Sequence, residues 1–427
     1  SDLALWAAET AGTACPINFQ LDVAHIAGLL VALDANILVA LGPAPDLDID
    51  TKVGALCAAC PQLQHVLRVP AGPGLPLAEG QRDFVVECEI EEGQALQFDE
   101  PHDCPAALFH TGGTTGAPKL AQHSHRNQLH AAWGAACMYG TRPTDVMLNG
   151  FPLFHVAGAF VFGLSTLLSG GEVVLPTRTG LRNAAFMGQF AAFVRLYKVT
   201  FLAAVPTVIA SLLALRLERG QLPSVRALLT GGSPLPDELA AAFEDQHAIP
   251  VRNILGMTES AGVISIEPLA APRLPGSCGL PLPFMQVIAL QADGQPAPAG
   301  ASGILAIRGP NVSAGYTDPQ RDAGTFEKGW LVSGDIGHVD VEGRVFVTGR
   351  AKDVIIRGAH NIDPGLIESV LLQHPAVMMA AAVGEPDAYA GELPVAFVSL
   401  KPGHIASAEE LLEFAAPRIA ERPAVPK

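Results

Sequence analysis

VRALLTGGSPLPDELAAAFEDQHAIPVRNILGMTE, residues 225–259, decides the architecture. An apolar run, Val225 to Leu229, and a further strand, Val251 to Leu255, bracket one helical segment. Pro236 opens that helix and puts Asp237 and Glu238 in its first turn, where the helix dipole favours acids. Each run ends in a small-residue loop: Gly231-Gly232 after the first, Gly256 to Glu259 after the second. Upstream, Val199 to Val205 is another β-rich run, and a helix carrying Val208, Leu212 and Leu215 follows it. Strand–helix–strand–helix–strand predicts a buried parallel sheet with right-handed crossovers. Ligands of such sheets sit at the carboxyl ends of the strands. Both glycine loops fall at such ends, and they share one crevice if their strands are neighbours.

A second informative stretch is Thr111-Gly112-Gly113-Thr114-Thr115-Gly116-Ala117-Pro118-Lys119. Small residues fill a tight loop, two hydroxyls sit side by side, and one cation closes it. Ala106 to Phe109 leads in as a short strand. An amphipathic helix is expected to follow, with Leu129, Ala132, Trp133, Ala136 and Cys137 on one stripe. Strand, glycine loop and helix make a phosphate cradle of backbone N–H groups and hydroxyls. It is not a Walker loop, which needs Gly-Lys-Ser/Thr in direct succession. Read by itself, the stretch also fits a flexible surface loop.

The chain of 427 residues predicts two to three domains. Half of it is hydrophobic and 16% is charged, which marks a globular protein. A net charge of −16 argues against a nucleic-acid partner. A polyphosphate site must then be made locally, from backbone donors, single cations and Mg²⁺. Seven cysteines, an odd number, read as reduced thiols and a cytoplasmic protein. Cys57 and Cys60 read as two buried small side chains on one helix face rather than a zinc site. Val156 to Gly171 is uncharged but too short and interrupted to span a membrane, and reads as a buried core helix. There is no signal-peptide pattern. The opening residues, Leu3, Leu5 and Trp6, read as mid-helix sequence from a trimmed or partly recorded chain.

From about Gly300 the texture changes. Gly303 to Arg308, Trp330 to Val332 and Val345 to Thr348 are short alternating strands with turns such as Asp340-Val-Glu-Gly343, a β-meander. After Gly349 a small α/β unit begins. Asp363 caps a helix opening at Pro364 that turns Ile367, Val370 and Leu371 inward. Ala376 to Val383 and Leu393 to Leu400 read as strands, and Ser407-Ala-Glu-Glu410 as a capping box. The fold class is α/β. A large multi-layer N-terminal domain (1–349) carries parallel sheets and the meander. A hinge (350–352) leads to a small C-terminal α/β domain (353–427).

Six segments in order resemble the adenylate-forming enzymes: acyl-CoA synthetases, peptide-synthetase adenylation domains and luciferases. They are the Thr111–Lys119 loop, Phe151-Pro-Leu-Phe-His155-Val-Ala-Gly158, Gly231-Gly232-Ser233-Pro-Leu235, Leu255-Gly256-Met257-Thr258-Glu259, Trp330-Leu-Val-Ser-Gly-Asp335 and Gly349-Arg350-Ala-Lys352-Asp-Val-Ile-Ile-Arg-Gly358. The resemblance implies that Lys119 and the loop hydroxyls hold the β- and γ-phosphates of ATP. Gly231, Gly232 and Ser233 would form the adenine turn, with Gly256 and Met257 beside it. Thr258 would bond the α-phosphate, Glu259 would hold Mg²⁺, and Asp335 would accept both ribose hydroxyls with Arg350 nearby. Lys352 would be the pivot of a mobile small domain, and Gly358 and His360 would belong to a mobile loop. His155 would face the acyl carboxylate or gate it. Met257, Ala157, Gly158 and Val263 would line an acyl pocket. The chain departs from the family pattern at its end. It stops at Val425-Pro-Lys427, before the distal lysine the family carries, and its N-terminal portion is also incomplete.

The expected activity is that of an AMP-forming acyl-CoA synthetase: a ligase of fatty acid metabolism that uses ATP, Mg²⁺ and coenzyme A on a small carboxylic acid. It would have no nucleic-acid partner and no membrane span, with oligomerisation left open. Two alternatives remain. One is an adenylation domain that loads a carrier protein, although Phe154-His155 shows no Asp to grip an amino group. The other is a non-catalytic nucleotide- and acyl-binding protein.

Overall fold

The structure, a computed structural model, describes residues 2–44, 47–72, 76–90, 93, 104–111, 119–178, 180–357, 360–387, 389–401, 403–419 and 424–426. The chain divides into two compact bodies. One is Ser1–Arg126 with Leu153–His155 and Ser313–Pro319; the other is Asn127–Pro152, Val156–Val312 and Gln320–Lys427.

In the first body, β1 (Ile37–Leu41), β2 (His65–Val69) and β3 (Gln81–Asp83) form a parallel sheet. Helices Val23–Ala32 and Ile49–Ala59 bury Ile26, Leu30 and Leu56 together. Asp22 caps the first of these, accepting from His25 N at 2.8 Å. Arg68 on β2 is fully buried, and its guanidinium donates to Leu41 O, Gln81 Oε1 and Asp50 Oδ1. Three acceptors, one of them charged, compensate its desolvation. β4 (Pro105–Thr111) and β5 (Lys119–Ser124) form an antiparallel pair from Pro105↔Ser124 to Thr111↔Lys119. The glycine loop therefore joins two strands, not a strand and a helix as expected. The helix starts only at His125 and runs to Tyr139.

That helix also corrects its predicted stripe. Leu129, Trp133 and Cys137 are exposed, and the buried face carries Asn127, Gln128, Ala131, Ala132, Gly134, Ala135 and Tyr139. The cause is close approach: a Cβ at Gly134 would lie 2.7 Å from Leu282 Cδ1, so only small residues fit there. The displaced Trp133 stacks on Phe284 with ring centroids 6.0 Å apart. The reading of Cys57 and Cys60 is corrected too. Cys57 is exposed on helix Ile49–Ala59, and Cys60 is buried just past its end.

The second body holds the predicted parallel sheet. β6 (Val146–Asn149), β7 (Glu172–Val174), β8 (Phe201–Ala203), β9 (Ala227–Gly231), β10 (Val251–Leu255), β11 (Ser265–Ile266) and β12 (Leu280–Pro281) run in the order β12-β11-β10-β9-β8-β6-β7. The pairs from β10 to β7 are parallel, and β11 and β12 are antiparallel additions. Helices Pro206–Ala214 and Asp237–His247 cover it, burying Val208, Ile209, Leu212, Ala240 and Phe243 against Leu202, Leu228 and Val251. Within 156–171 the helix runs only to Leu168 and is mostly buried up to Thr166, with Leu167 and Leu168 exposed; Ala157–Leu164 is π-helical before Ser165–Leu168 turns α.

The meander comprises β13 (Gln286–Leu290), β14 (Gly303–Arg308), β15 (Phe326–Glu327), β16 (Trp330–Val339) and β17 (Val345–Arg350), all antiparallel. The last residues gather their own core, with Ile355, Ile362, Ile367, Leu371, Val377 and Leu411 inside. This smaller α/β part contains β18 (Ile355–Arg357), β19 (His360–Ile362), β20 (Val377–Asp387), β21 (Gly391–Leu400) and helices Pro364–Leu372 and Ala408–Ala415. Asp363 Oδ1 accepts from Gly365 N at 2.9 Å and Ser407 Oγ from Glu410 N at 3.2 Å, so both predicted helix starts hold. His360 begins β19, opposite Arg357, rather than lying in a loop. Among the described residues, no helix is long and apolar enough to cross a membrane.

Candidate active site

Within the second body, β9 and β10 are parallel neighbours in register, Val251↔Leu228 to Ile254↔Gly231. Their two glycine loops leave the sheet side by side, as the conditional reading required. Gly232 turns with φ +82°, a left-handed conformation that favours glycine, and Ser233 is exposed. A Cβ on Gly256 would fall 2.0 Å from Gly262 O, so only glycine lets the next loop fold back. It does so through Ser260 N to Met257 O at 3.1 Å, Gly262 N to Met257 O at 3.0 Å and Ile264 N to Leu255 O at 2.7 Å. Thr258–Ser260 becomes one tight helical turn in which Glu259 is only 6% exposed.

Two asparagines that sequence reading passed over brace this turn. Asn311 is fully buried, and its Nδ2 donates to Ser260 O at 2.8 Å and Val263 O at 2.6 Å. Asn127 Nδ2 donates to Pro310 O at 2.7 Å and Val312 O at 3.0 Å, holding the backbone on either side of Asn311. A chain of hydrogen bonds thus runs from helix His125–Tyr139 to the Glu259 turn.

Asp335 lies mid-strand in β16, opposite Arg350 on β17, with Arg350 Nε 3.0 Å from its Oδ1. Burial raises the Asp335 pKa, and the Arg350 guanidinium opposes that rise without cancelling it. Cys278 lies within electrostatic reach of Asp335, its thiol pushed up to about 12, chiefly by burial. The same sulfur accepts from Asn253 Nδ2 on β10 at 3.6 Å. Lys352 is exposed in the short helical turn Ala351–Asp353, and its charge also opposes the rise at Asp335. Gly358 lies outside the described residues, as does Lys427.

The predicted acyl segment is pinned by a third asparagine. Asn149, buried at the end of β6, donates from Nδ2 to Gly158 O at 2.9 Å and accepts from Phe151 N at 3.1 Å. Phe151 packs on Phe162 of the π-helical stretch at 4.7 Å, and Val263 is fully buried. Ala157 opens the π-helical stretch, with Gly158 buried next to it.

In the first body, Thr111 ends β4 and Lys119 opens β5, directly paired. Gly112, Gly113, Thr114, Thr115 and Gly116 lie outside the described residues. Lys119 Nζ sits 4.9 Å above the centre of the Tyr316 ring. His110, next to Thr111, has its Nε2 buried without a hydrogen-bond partner, and burial lowers its pKa. His155 keeps surface open to solvent, yet enough protein surrounds its ring that desolvation lowers its pKa, with the His110 imidazole adding a push the same way. Both rings are thereby biased toward the neutral form.

Residues 2–317 match the AMP-binding enzyme family, and residues 366–427 match the AMP-binding enzyme C-terminal domain. The chain is 37% identical to marinolic acid–CoA ligase of Pseudoalteromonas sp. (strain SANK 73390), over 99% of the chain and 66% of that protein. It therefore spans just under two thirds of that relative's length. It is 33% identical to feruloyl-CoA synthase of Amycolatopsis sp., over 95% of the chain and 77% of that protein. Among solved structures it resembles ATP-bound MatB from Rhodopseudomonas palustris, with TM-score 0.84 and 26% identity over 97% of this chain and 79% of that one.

Proposed function

The chain belongs to the AMP-binding enzyme family, and from that premise we propose that it joins a carboxylic acid to coenzyme A through an acyl-AMP intermediate. A carboxylate oxygen attacks the α-phosphorus of ATP and pyrophosphate leaves. The CoA thiol then attacks the acyl carbon, its proton is lost, and AMP leaves. Activation is needed because a carboxylate is a poor acylating agent and AMP is a good leaving group. The observation that supports this reading is the pair of loops after β9 and β10, where Gly231-Gly232 and the braced Glu259 turn leave neighbouring parallel strands.

In this reading Asp335 takes the ribose hydroxyls, with Arg350 reaching the ribose or phosphates. Thr258 takes the α-phosphate, and Lys119 with the Thr111–Thr115 hydroxyls takes the β- and γ-phosphates. Gathering donors on the departing pyrophosphate stabilises the charge that develops there. Among the described residues no cluster of three or more His, Cys, Asp or Glu forms a metal cage. Mg²⁺ does not need one, since it binds through one or two carboxylates, waters and substrate phosphates. The buried Glu259 carboxylate at the loop end fits that donor set and would hold the ion, which neutralises phosphate charge.

The acid has an apolar body, a reading supported by the apolar character of the segment around Phe151, Phe162 and Val263. A fatty acid is the simplest case, and the names of the relatives point to a wider class that includes marinolic acid. His155, neutral, would face the carboxylate end without adding a counter-charge. Lys352 would be the pivot between the two half-reactions. The test is product identification by mass spectrometry across a panel of carboxylic acids with ATP and CoA. Acyl-CoA and AMP in equal amounts support the reading, and ADP with phosphate would refute it.

A further inference from the structure

Lys119 is a long, flexible cation, and a free lysine loses conformational freedom when it grips a ligand. Here it is already held. Its Nζ lies over the Tyr316 ring, 4.9 Å from the centre, within the range where the negative π face attracts an ammonium. Tyr316 is only 3% exposed, so its position is fixed by packing. It is also tied to the strand that Lys119 begins. Ala121 and Tyr316 form a backbone bridge, and Thr317 N donates to Leu120 O at 3.0 Å. Gln122 N donates to Gly315 O at 3.0 Å, and Gln122 Nε2 donates to Tyr316 O at 2.8 Å. The three residues that follow Lys119 thus clamp the segment carrying the ring. Lysine and ring are thereby held on one hydrogen-bonded unit.

We propose that Tyr316 is a positioning residue: its ring holds the Lys119 ammonium at the start of β5, ready for the terminal phosphates of ATP. The proposal rests on the assignment of Lys119 to those phosphates. A preorganised lysine loses less freedom on binding, and the gain applies only to ligands that carry the terminal phosphates. Tyr316 should therefore set the preference for ATP over AMP without touching either. A ring that served only the local packing would change stability and leave that preference alone.

The test measures ATP and AMP affinity by calorimetry, with melting temperature alongside. Tyr316→Leu should weaken ATP about 3- to 10-fold and AMP by less than about twofold, and Tyr316→Phe should behave as the native chain. Because leucine in a buried ring site can unfold the protein, a second series keeps the shape. Tyr316 is replaced by phenylalanine and then by its progressively fluorinated analogues, which drain the π face at nearly constant volume. ATP affinity should fall stepwise with fluorination while AMP affinity and melting temperature hold, and the dependence should vanish in a Lys119→Ala background. A flat ATP response across the series overturns the positioning role if Lys119→Ala still selectively weakens ATP. If Lys119→Ala weakens ATP no more than AMP, the phosphate assignment falls and the positioning role with it.

Discussion

Burial of Asp335 disfavours its charge, and Arg350 across the ladder offsets only part of that. The folded pKa lies above the unfolded one, so the unfolded chain releases its proton first. Stability from this group is therefore lost as pH rises through the interval between the two values, and the cost is fully present above the folded value. Asp335→Asn should remove the cost, since Arg350 is exposed enough to be hydrated alone. Its melting temperature should exceed that of the native chain at neutral pH, with the difference shrinking as pH falls below the ordinary carboxylate range. The same variant should bind ATP and AMP more weakly by similar factors, roughly 10- to 100-fold, because both ligands share the ribose. A stability gain without a binding loss would mark Asp335 as structural.

At the scale of elements, the loops matter through what braces them. Asn311 connects the Glu259 turn to the segment that Asn127 holds. Asn311→Ala leaves two buried carbonyls, Ser260 O and Val263 O, without this donor, and should cost about 2–4 kcal/mol in denaturant unfolding. ATP affinity should fall as well, since the turn that carries Thr258 and Glu259 loses its anchor. Asn311→Asp should be no better, because it supplies acceptors where donors are required. Neither Asn311 nor Asn127 was legible in the sequence. Their partners are backbone carbonyls, which leave no residue pattern, and Asn127 reaches across more than 180 positions. Asn149, which donates to Gly158 O, escaped for the same reason, and Tyr316 because its ring meets Lys119 only once two segments distant in sequence pair.

Two of the parallel strands, β8 and β9, by contrast, were legible because strands covered on both faces read as apolar runs. β5 was not. Lys119-Leu-Ala-Gln-His-Ser124 contains no β-branched residue, and its strand state comes from pairing with β4 and with Tyr316. The buried face of helix His125–Tyr139 was misread because packing against Leu282 selects small side chains there, not the most hydrophobic ones.

At the scale of the whole molecule, the activity needs two half-reactions from one chain. Residues 355–425 have a core of their own, and the proposed hinge at Lys352 lies just before it. Proline there fixes φ near −65° and should trap one arrangement. Lys352→Pro should spare pyrophosphate exchange and suppress thioester formation from supplied acyl-AMP. Unchanged thioester formation would remove Lys352 from the pivot role. The central claim, that the carboxylate itself attacks the α-phosphorus of ATP, is tested most directly by the fate of its oxygen. With a substrate acid labelled with heavy oxygen in the carboxylate, one labelled atom should appear in AMP for each thioester made, and none in pyrophosphate. Unlabelled AMP, or label in inorganic phosphate released with ADP, would contradict the adenylate.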